Sequence, residues 1–393
     1  MAMNLSEAGN SLLIYLGVTL VFGGAIFYRA KKKHVEKEMP FWCGLFMLFV
    51  LEILCFATLR SLLGLAVFSL ACLLYCFYIP ASAMLPVDQK AVLITGSDSG
   101  IGHELAKFLD RSGFVVFAGV LNERGPGAEE LRRASSERLS VLQLDITDSQ
   151  QIQEAFLEVK KKLKNAALWG IVNNAGILGF PADAELLPMS NYKRCMEVNF
   201  FGPVEVSKAF MPLLRKSKGR LINISSMAGG IPMPKFAAYG ASKAALSMFS
   251  GVMRQELSKW GIKVAVVHPS AFRTSIQGTP EQWSKLEQNL LEKLTPDVKE
   301  DYGEDYILAL KNILPHIPTT SRPDLSPVLL DVWHALLAVR PQGLYTPGKS
   351  AYKYLFIFHY FPLWFYDRYM SKLERDSYAP KALKATQTKN KNS

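Results

Sequence analysis

Tyr239 and Lys243 stand four residues apart in YGASK, and Ser226 precedes Tyr239 by thirteen residues. On a helix, positions i and i+4 lie one above the other, about 6 Å apart along the axis. A cation that close lowers a phenol pKa by roughly 1–3 units from about 10, so the tyrosine can take a proton near neutral pH. Hydride transfer from an alcohol releases such a proton. A serine at the end of a strand, joined to the helix by a glycine- and proline-containing loop, can hold the alcohol oxygen. Taken alone, a Tyr-x-x-x-Lys spacing is common on solvated helices and means nothing. The surrounding elements decide.

The first of these is TGSDSGIG, Thr95–Gly102, between an apolar run and a helical pattern. Gly96 permits a turn that a Cβ would obstruct, Gly100 lets backbone approach a pyrophosphate, and Gly102 allows close helix–sheet packing. The helix N-terminus offers amides and partial positive charge to phosphates. A 2′-phosphate needs a nearby Arg or Lys, and none lies between Gly96 and Gly100. The next strand ends GVLN, with Val120 where an aspartate would specify NAD, Glu123 slightly late and Arg124 later still. This pattern favours NAD over NADP. Asp145, after the third strand, fits either an adenine contact or a helix N-cap.

From Lys90 onward, short β-branched runs alternate with amphipathic helical ones. Strands are expected at AVLIT, FVVFAG, LSVLQL, WGIVNN, RLINIS and IKVAVV, which closes the series. Such alternation predicts an α/β fold, a Rossmann-type doubly wound parallel sheet with helices on both faces. After Pro269 it fails, and residues 270–330 read as an irregular helical segment able to cover a substrate at the carboxyl ends of the strands. The expected domains are a membrane anchor (1–85), a catalytic domain (86–346) and an aromatic, membrane-associated segment with a basic tail (347–393).

The anchor follows from composition. The chain has 393 residues, 49% of them hydrophobic, with a mean hydropathy of +0.11. Ser11–Tyr28 is uncharged and runs into RAKKK, and Phe41–Ile79 is interrupted only by Glu52 and Arg60. These lengths predict transmembrane helices, one in the first segment and one or two in the second. A cleaved signal peptide fits less well, because a basic leading region is missing and further apolar sequence follows. Basic Arg29–Lys33 belongs on the cytosolic side, which places Met1 across the membrane. The side taken by the catalytic part depends on the number of spans.

The net charge of +11 concentrates beside the first apolar segment and after Tyr366, which fits lipid headgroups and argues against nucleic acid. Lys389 and Lys391 match a dilysine retrieval pattern of the endoplasmic reticulum. The aromatic stretch Ala351–Met370 reads as an interfacial segment. Four cysteines (Cys43, Cys55, Cys72, Cys76) fall in the apolar region, leaving Cys195 alone, and no metal-ligand spacing occurs. Asn4 and Asn223 lie in glycosylation sequons, the latter on an expected buried strand.

TGSDSGIG, NNAG (Asn173–Gly176), Ser226 and YGASK occur in the order found in short-chain dehydrogenases/reductases, and the stretch from Lys90 to Thr274 resembles that family. The resemblance implies a catalytic tetrad of Asn199, Ser226, Tyr239 and Lys243, with Asn199 helping to hold a proton-relaying water. It implies cofactor contacts from Gly96, Ser99, Gly100, Ile101, Gly102, Asp145, Asn173, Ala175, Gly176, Pro269 and Thr274, with Tyr239 and Lys243, and substrate contacts from Ser226 and Tyr239. Ser270 departs from the glycine usual after Pro269, and its backbone N–H is expected to remain available to the carboxamide. FAGVLNERGPGAEELRR, NNAGILGFP, ELSKWGIKVA, EDYGEDYILA and YTPGK resemble the hydroxysteroid branch shared with retinol dehydrogenases. That likeness implies NAD-dependent oxidation of 17β-hydroxysteroids such as estradiol and testosterone, or of 20α-hydroxyprogestins, at the endoplasmic reticulum membrane, with retinol oxidation on the same scaffold as the alternative. A homodimer is the family's usual assembly. A non-catalytic nucleotide-binding scaffold is the contrasting reading.

Overall fold

The computed structural model describes residues 5–32, 39–59, 62–78, 83–310, 321–373 and 379–384. Arg60, the Asn4 sequon and the Lys389–Lys391 pattern lie outside these. Two compact units divide the chain: Met1–Leu85 with Leu337–Gln342, and Pro86–Leu336 with Gly343–Ser393.

In the first unit, α1 (Leu5–Lys32) contains Leu12–Ala30, 19 residues apolar enough to cross a membrane. The second apolar block divides into α2 (Met39–Leu54), a π-turn at Cys55–Leu59, and α3 (Leu62–Tyr78). Their apolar stretches are shorter than a full span. Glu52, which interrupts this block, accepts a hydrogen bond from the Thr19 hydroxyl of α1. Arg29 lies 4.5 Å from the centre of the Phe77 ring.

The second unit is the expected doubly wound fold. Its parallel strands are β1 (Lys90–Ile94), β2 (Val115–Val120), β3 (Leu139–Gln143), β4 (Ala167–Asn173), β5 (Arg220–Ile224), β6 (Lys263–Val267) and β7 (Leu344–Tyr345). They lie in the order β3-β2-β1-β4-β5-β6-β7, so the winding reverses between β1 and β4. A crevice opens outside the carboxyl ends of the strands at such a reversal. The strands are apolar on both faces because helices cover both. α6 (Ser149–Lys162) and α8 (Gly202–Ser217) bury Ile152, Val159, Phe210 and Leu214 against Leu93, Phe117 and Ile171. Truncating Phe210 to alanine there would cost about 3–5 kcal/mol.

Two elements were not expected. β7 extends the sheet beyond β6; with two residues, it carries too little periodicity to read. α5 (Pro126–Ala134) joins β2 to β3, and its Gly-Pro-Gly start masks a helix with proline in the first turn. Asn223 is fully buried on β5.

Candidate active site

The glycine turn connects β1 to α4 (Gly100–Arg111). Gly96 and Gly100 have φ of +66° and +60°, a region that disfavours side chains. A Cβ on Gly96 would lie 2.7 Å from the Ala175 Cα, and one on Gly102 would lie 2.3 Å from the Gly96 carbonyl oxygen. Gly102 therefore sets the packing of α4, while Gly96, Ser99, Gly100 and Ile101 line the cavity. α4 starts without a side-chain cap among the described residues, leaving its first turn suited to an anion. This cradle fits a dinucleotide pyrophosphate.

The β4 end corrects one expectation. Asn173 faces the core, where its amide donates to Ser207 at 2.9 Å and Asn223 at 2.8 Å. Asn174 lines the cavity instead, donating to the Thr95 and Gly96 carbonyls at 3.0 Å each. The Thr95 hydroxyl accepts from the amides of Asn174 and Ala175. These bonds tie the ends of β1 and β4 together beneath the crevice. Ala175 and Gly176 also line it.

Asp145 lines the same cavity but does not cap a helix. Its carboxylate accepts from the Thr147 amide and hydroxyl, whereas Asp148 caps α6. Asp98 was not singled out by sequence. Its carboxylate reaches the end of β2 and accepts from the amides of Leu121 and Asn122.

Across the cavity, Ser226 follows β5, and Tyr239 and Lys243 lie on α9 (Ala237–Glu256). Ser226 is extended and its hydroxyl oxygen accepts from the Ala228 amide at 3.2 Å. Its side chain lies near enough to the Tyr239 phenol to lower the phenol's pKa. The Lys243 amine donates to the Ile224 carbonyl at 2.9 Å and lies 6.0 Å from the Tyr239 ring centre. A Cβ on Gly176 would come within 3.1 Å of that amine, so glycine gives the lysine its space.

Electrostatics here differ from the sequence expectation. Burial pushes the Tyr239 phenol up, and Ser226 pulls it back. Burial also pushes the Lys243 amine down to about 8. In the protein alone, desolvation outweighs any acidification of the phenol by the lysine. Asn199 sits in a π-turn, Glu197–Phe201, between α7 (Met189–Met196) and α8. Its amide donates to the Ile177 carbonyl and Ser242 and its oxygen accepts from the Ile177 amide. The side chain is thus committed to scaffolding.

Pro269 and Thr274 line the cavity, Thr274 with its Cβ close to Gly100. The Ser270 amide does not remain available, since it donates to the Pro347 carbonyl at 3.0 Å. α10 (Pro280–Lys293) contributes Trp283 and Leu286 to a cavity of about 830 Å³, facing Leu178, Met233 and Phe236. α11 (Pro296–Tyr302) and α12 (Glu304–Ala309) continue this cover. Its clasp is Lys235, whose amine donates to both Asp183 oxygens at 3.0 Å and to the Tyr306 hydroxyl at 2.5 Å. Burial tends to lower the Lys235 pKa, but these two partners outweigh it and hold the amine charged. The Cys195 thiol is pushed up to about 11 by burial, which leaves it a poor nucleophile.

A dinucleotide crevice, a tyrosine–serine pair and a buried lysine on one apolar cavity define a dehydrogenase site. A family model for short chain dehydrogenases matches residues 90–285. The chain is 52% identical to human 17-beta-hydroxysteroid dehydrogenase type 2 over 379 residues, covering 96% of this chain and 97% of that one. It is 44% identical to bovine 11-beta-hydroxysteroid dehydrogenase type 2 over 303 residues, 77% of this chain and 75% of that one. The chain belongs to the short-chain dehydrogenase family and is an oxidoreductase.

Two solved structures share the fold. A short-chain dehydrogenase/reductase from Burkholderia phymatum in complex with NAD has a TM-score of 0.59 at 17% identity, covering 76% of this chain and 99% of its own. One from Burkholderia cenocepacia in complex with NADP has a TM-score of 0.54 at 21% identity, covering 71% and 96%. At these identities the likeness concerns the fold alone, and the two cofactors differ.

Proposed function

We propose that this protein oxidises 17β-hydroxysteroids, estradiol and testosterone among them, to ketones with NAD. The observation that carries this reading is identity of 52% along nearly the whole chain to a 17-beta-hydroxysteroid dehydrogenase. The cavity supports it: its walls at Met233, Phe236, Trp283 and Leu286 are apolar, while Ser226 and Tyr239 present hydroxyls. One polar end in an apolar chamber suits a rigid, greasy secondary alcohol.

The roles follow from chemistry. Bound at the glycine turn, the nicotinamide dinucleotide supplies the acceptor for the hydride leaving the alcohol carbon. Ser226 holds the alcohol oxygen by a hydrogen bond. Tyr239 takes the hydroxyl proton, and Lys243 would hold the nicotinamide ribose beside it. Asn199 keeps the π-turn and the Ile177 backbone in place, so that its carbonyl can hold a relaying water. Gly96, Ser99, Gly100 and Ile101 would hold the pyrophosphate, and Ala175, Gly176, Pro269 and Thr274 the nicotinamide half.

The same reading puts the protein in the endoplasmic reticulum membrane, supported by the apolar α1. The C-terminal helices α13 (Lys349–Tyr360) and α14 (Leu363–Leu373) expose Tyr352, Tyr360 and Trp364, which suits an interfacial contact. Exposed Phe201 and Met248 suit pairing of two copies in a homodimer. Microsomes carrying the chain, supplied with estradiol and either NAD or NADP, test the activity. Estrone formation with NAD is expected. Faster turnover of all-trans-retinol or an 11β-hydroxysteroid would overturn the substrate reading, and faster turnover with NADP the cofactor reading.

A further inference from the structure

We infer that Asp98 selects the dinucleotide by barring a 2′-phosphate from the end of β2. This rests on the NAD reading above and names the residue responsible. In doubly wound folds the adenosine ribose lies where the second strand ends: an acid there accepts the free 2′-hydroxyl, and a base accommodates a 2′-phosphate. Here β2 ends Val120-Leu121-Asn122, which supplies neither.

The acid comes from the glycine turn instead. Asp98 Oδ2 accepts from the Leu121 amide at 2.9 Å, and Oδ1 from Leu121 at 3.0 Å and Asn122 at 3.3 Å. Backbone amides that would otherwise attract an anion are therefore already bonded to a carboxylate. Asp98 and Leu121 both line the cavity. A carboxylate has about four acceptor positions, so one stays open to a ribose hydroxyl. A phosphate dianion at that point would meet fixed negative charge, with Asp145 adding a second carboxylate to the lining.

The surroundings hold Asp98 in place. A Cβ on Gly127 would fall 2.0 Å from the Asp98 carbonyl oxygen, so the first turn of α5 rests against it. Basic residues among those lining the cavity are Arg194, Lys243 and Lys285, from α7, α9 and α10 and not from the β1–β3 side. Glu123, the acid nearest the end of β2 in sequence, is absent from the lining; its amide donates to Gln143 and its carbonyl accepts from Arg132.

Binding of NADH and NADPH to the full-length protein in detergent, read by nicotinamide fluorescence, tests this without turnover. Wild type should bind NADH more tightly. Asp98→Asn keeps an oxygen for the two amides and removes the charge; it should improve the NADPH-to-NADH affinity ratio at least about tenfold. Glu123→Gln should leave the ratio unchanged. If Asp98 were only a clamp for β2, the variant would weaken both ligands alike, and an unchanged ratio overturns the inference while the NAD reading stands. Tighter NADPH binding by wild type overturns both. Should the variant not fold, the salt dependence of the wild-type ratio decides. Raising salt from about 20 to about 500 mM screens the repulsion and should move the ratio toward NADPH, and a ratio insensitive to salt contradicts the inference.

Discussion

The Lys243 amine lies 6.0 Å from the centre of the Tyr239 ring, yet its hydrogen bond goes to the Ile224 carbonyl. The lysine is thus moored to β5, while the phenol's pKa is lowered by Ser226. Both side chains of α9 thus answer to the end of the same strand, the lysine by a bond and the phenol through Ser226. Loss of either should show separately.

Ser226→Ala removes the contact that pulls the Tyr239 phenol down against burial. The phenol pKa then rises, so less phenolate exists at any given pH. Alcohol oxidation should fall about 10²–10³-fold, and the alkaline rise of kcat/KM should move to higher pH. A pH–rate profile of the variant checks both.

Lys243 titrates near pH 8 in the folded chain, below its ordinary value of 10.5. Between these values the unfolded chain binds more protons, so this group makes stability rise with pH across that window. Below pH 8 both states are charged and the burial penalty is present in full, on the order of 3 kcal/mol. Lys243→Met removes it. The stability difference between variant and wild type should shift in favour of wild type as pH rises from about 7 to about 10, measured by denaturant titration.

Lys235 adopts a left-handed backbone, φ +69°, unusual for a side chain of its size. Its bonds to Asp183 and Tyr306 fasten the covering helices to the loop that leads into α9. Lys235→Met leaves the Asp183 charge uncompensated and should cost about 3 kcal/mol. Tyr306→Phe should act more mildly, by about 1 kcal/mol. Steroid KM should rise in both, with kcat changing less, because the cover binds substrate without entering the proton transfer.

Asn223 occupies a sequon, but its side chain joins Asn173 and Ser250 in the core. Asn223→Gln should leave glycosidase-sensitive mobility unchanged and lower thermal stability by breaking that network. A mobility shift lost in this variant would show that the strand is exposed during maturation.

The glycine turn, Ser226, Tyr239 and Lys243 were legible because each depends on neighbours close in sequence. The structure brings all of them to one cavity. Asn173 was expected in the cavity that Asn174 lines, since adjacent residues at a strand end point to opposite faces and NNAG does not say which faces inward. The fate of the Ser270 amide depends on Pro347, far along the chain. The phenol's pKa depends on burial, a property of the assembled fold. Asp98 passed unnoticed for the same reason: its meaning arises only where β2 ends beside the glycine turn.

The most direct measurement is turnover and cofactor binding by Tyr239→Phe. The account predicts that steroid oxidation falls by at least about 10³-fold while NADH still binds within about threefold of wild type, because the phenol moves a proton and the cradle lies elsewhere. Oxidation persisting within tenfold of wild type would contradict it.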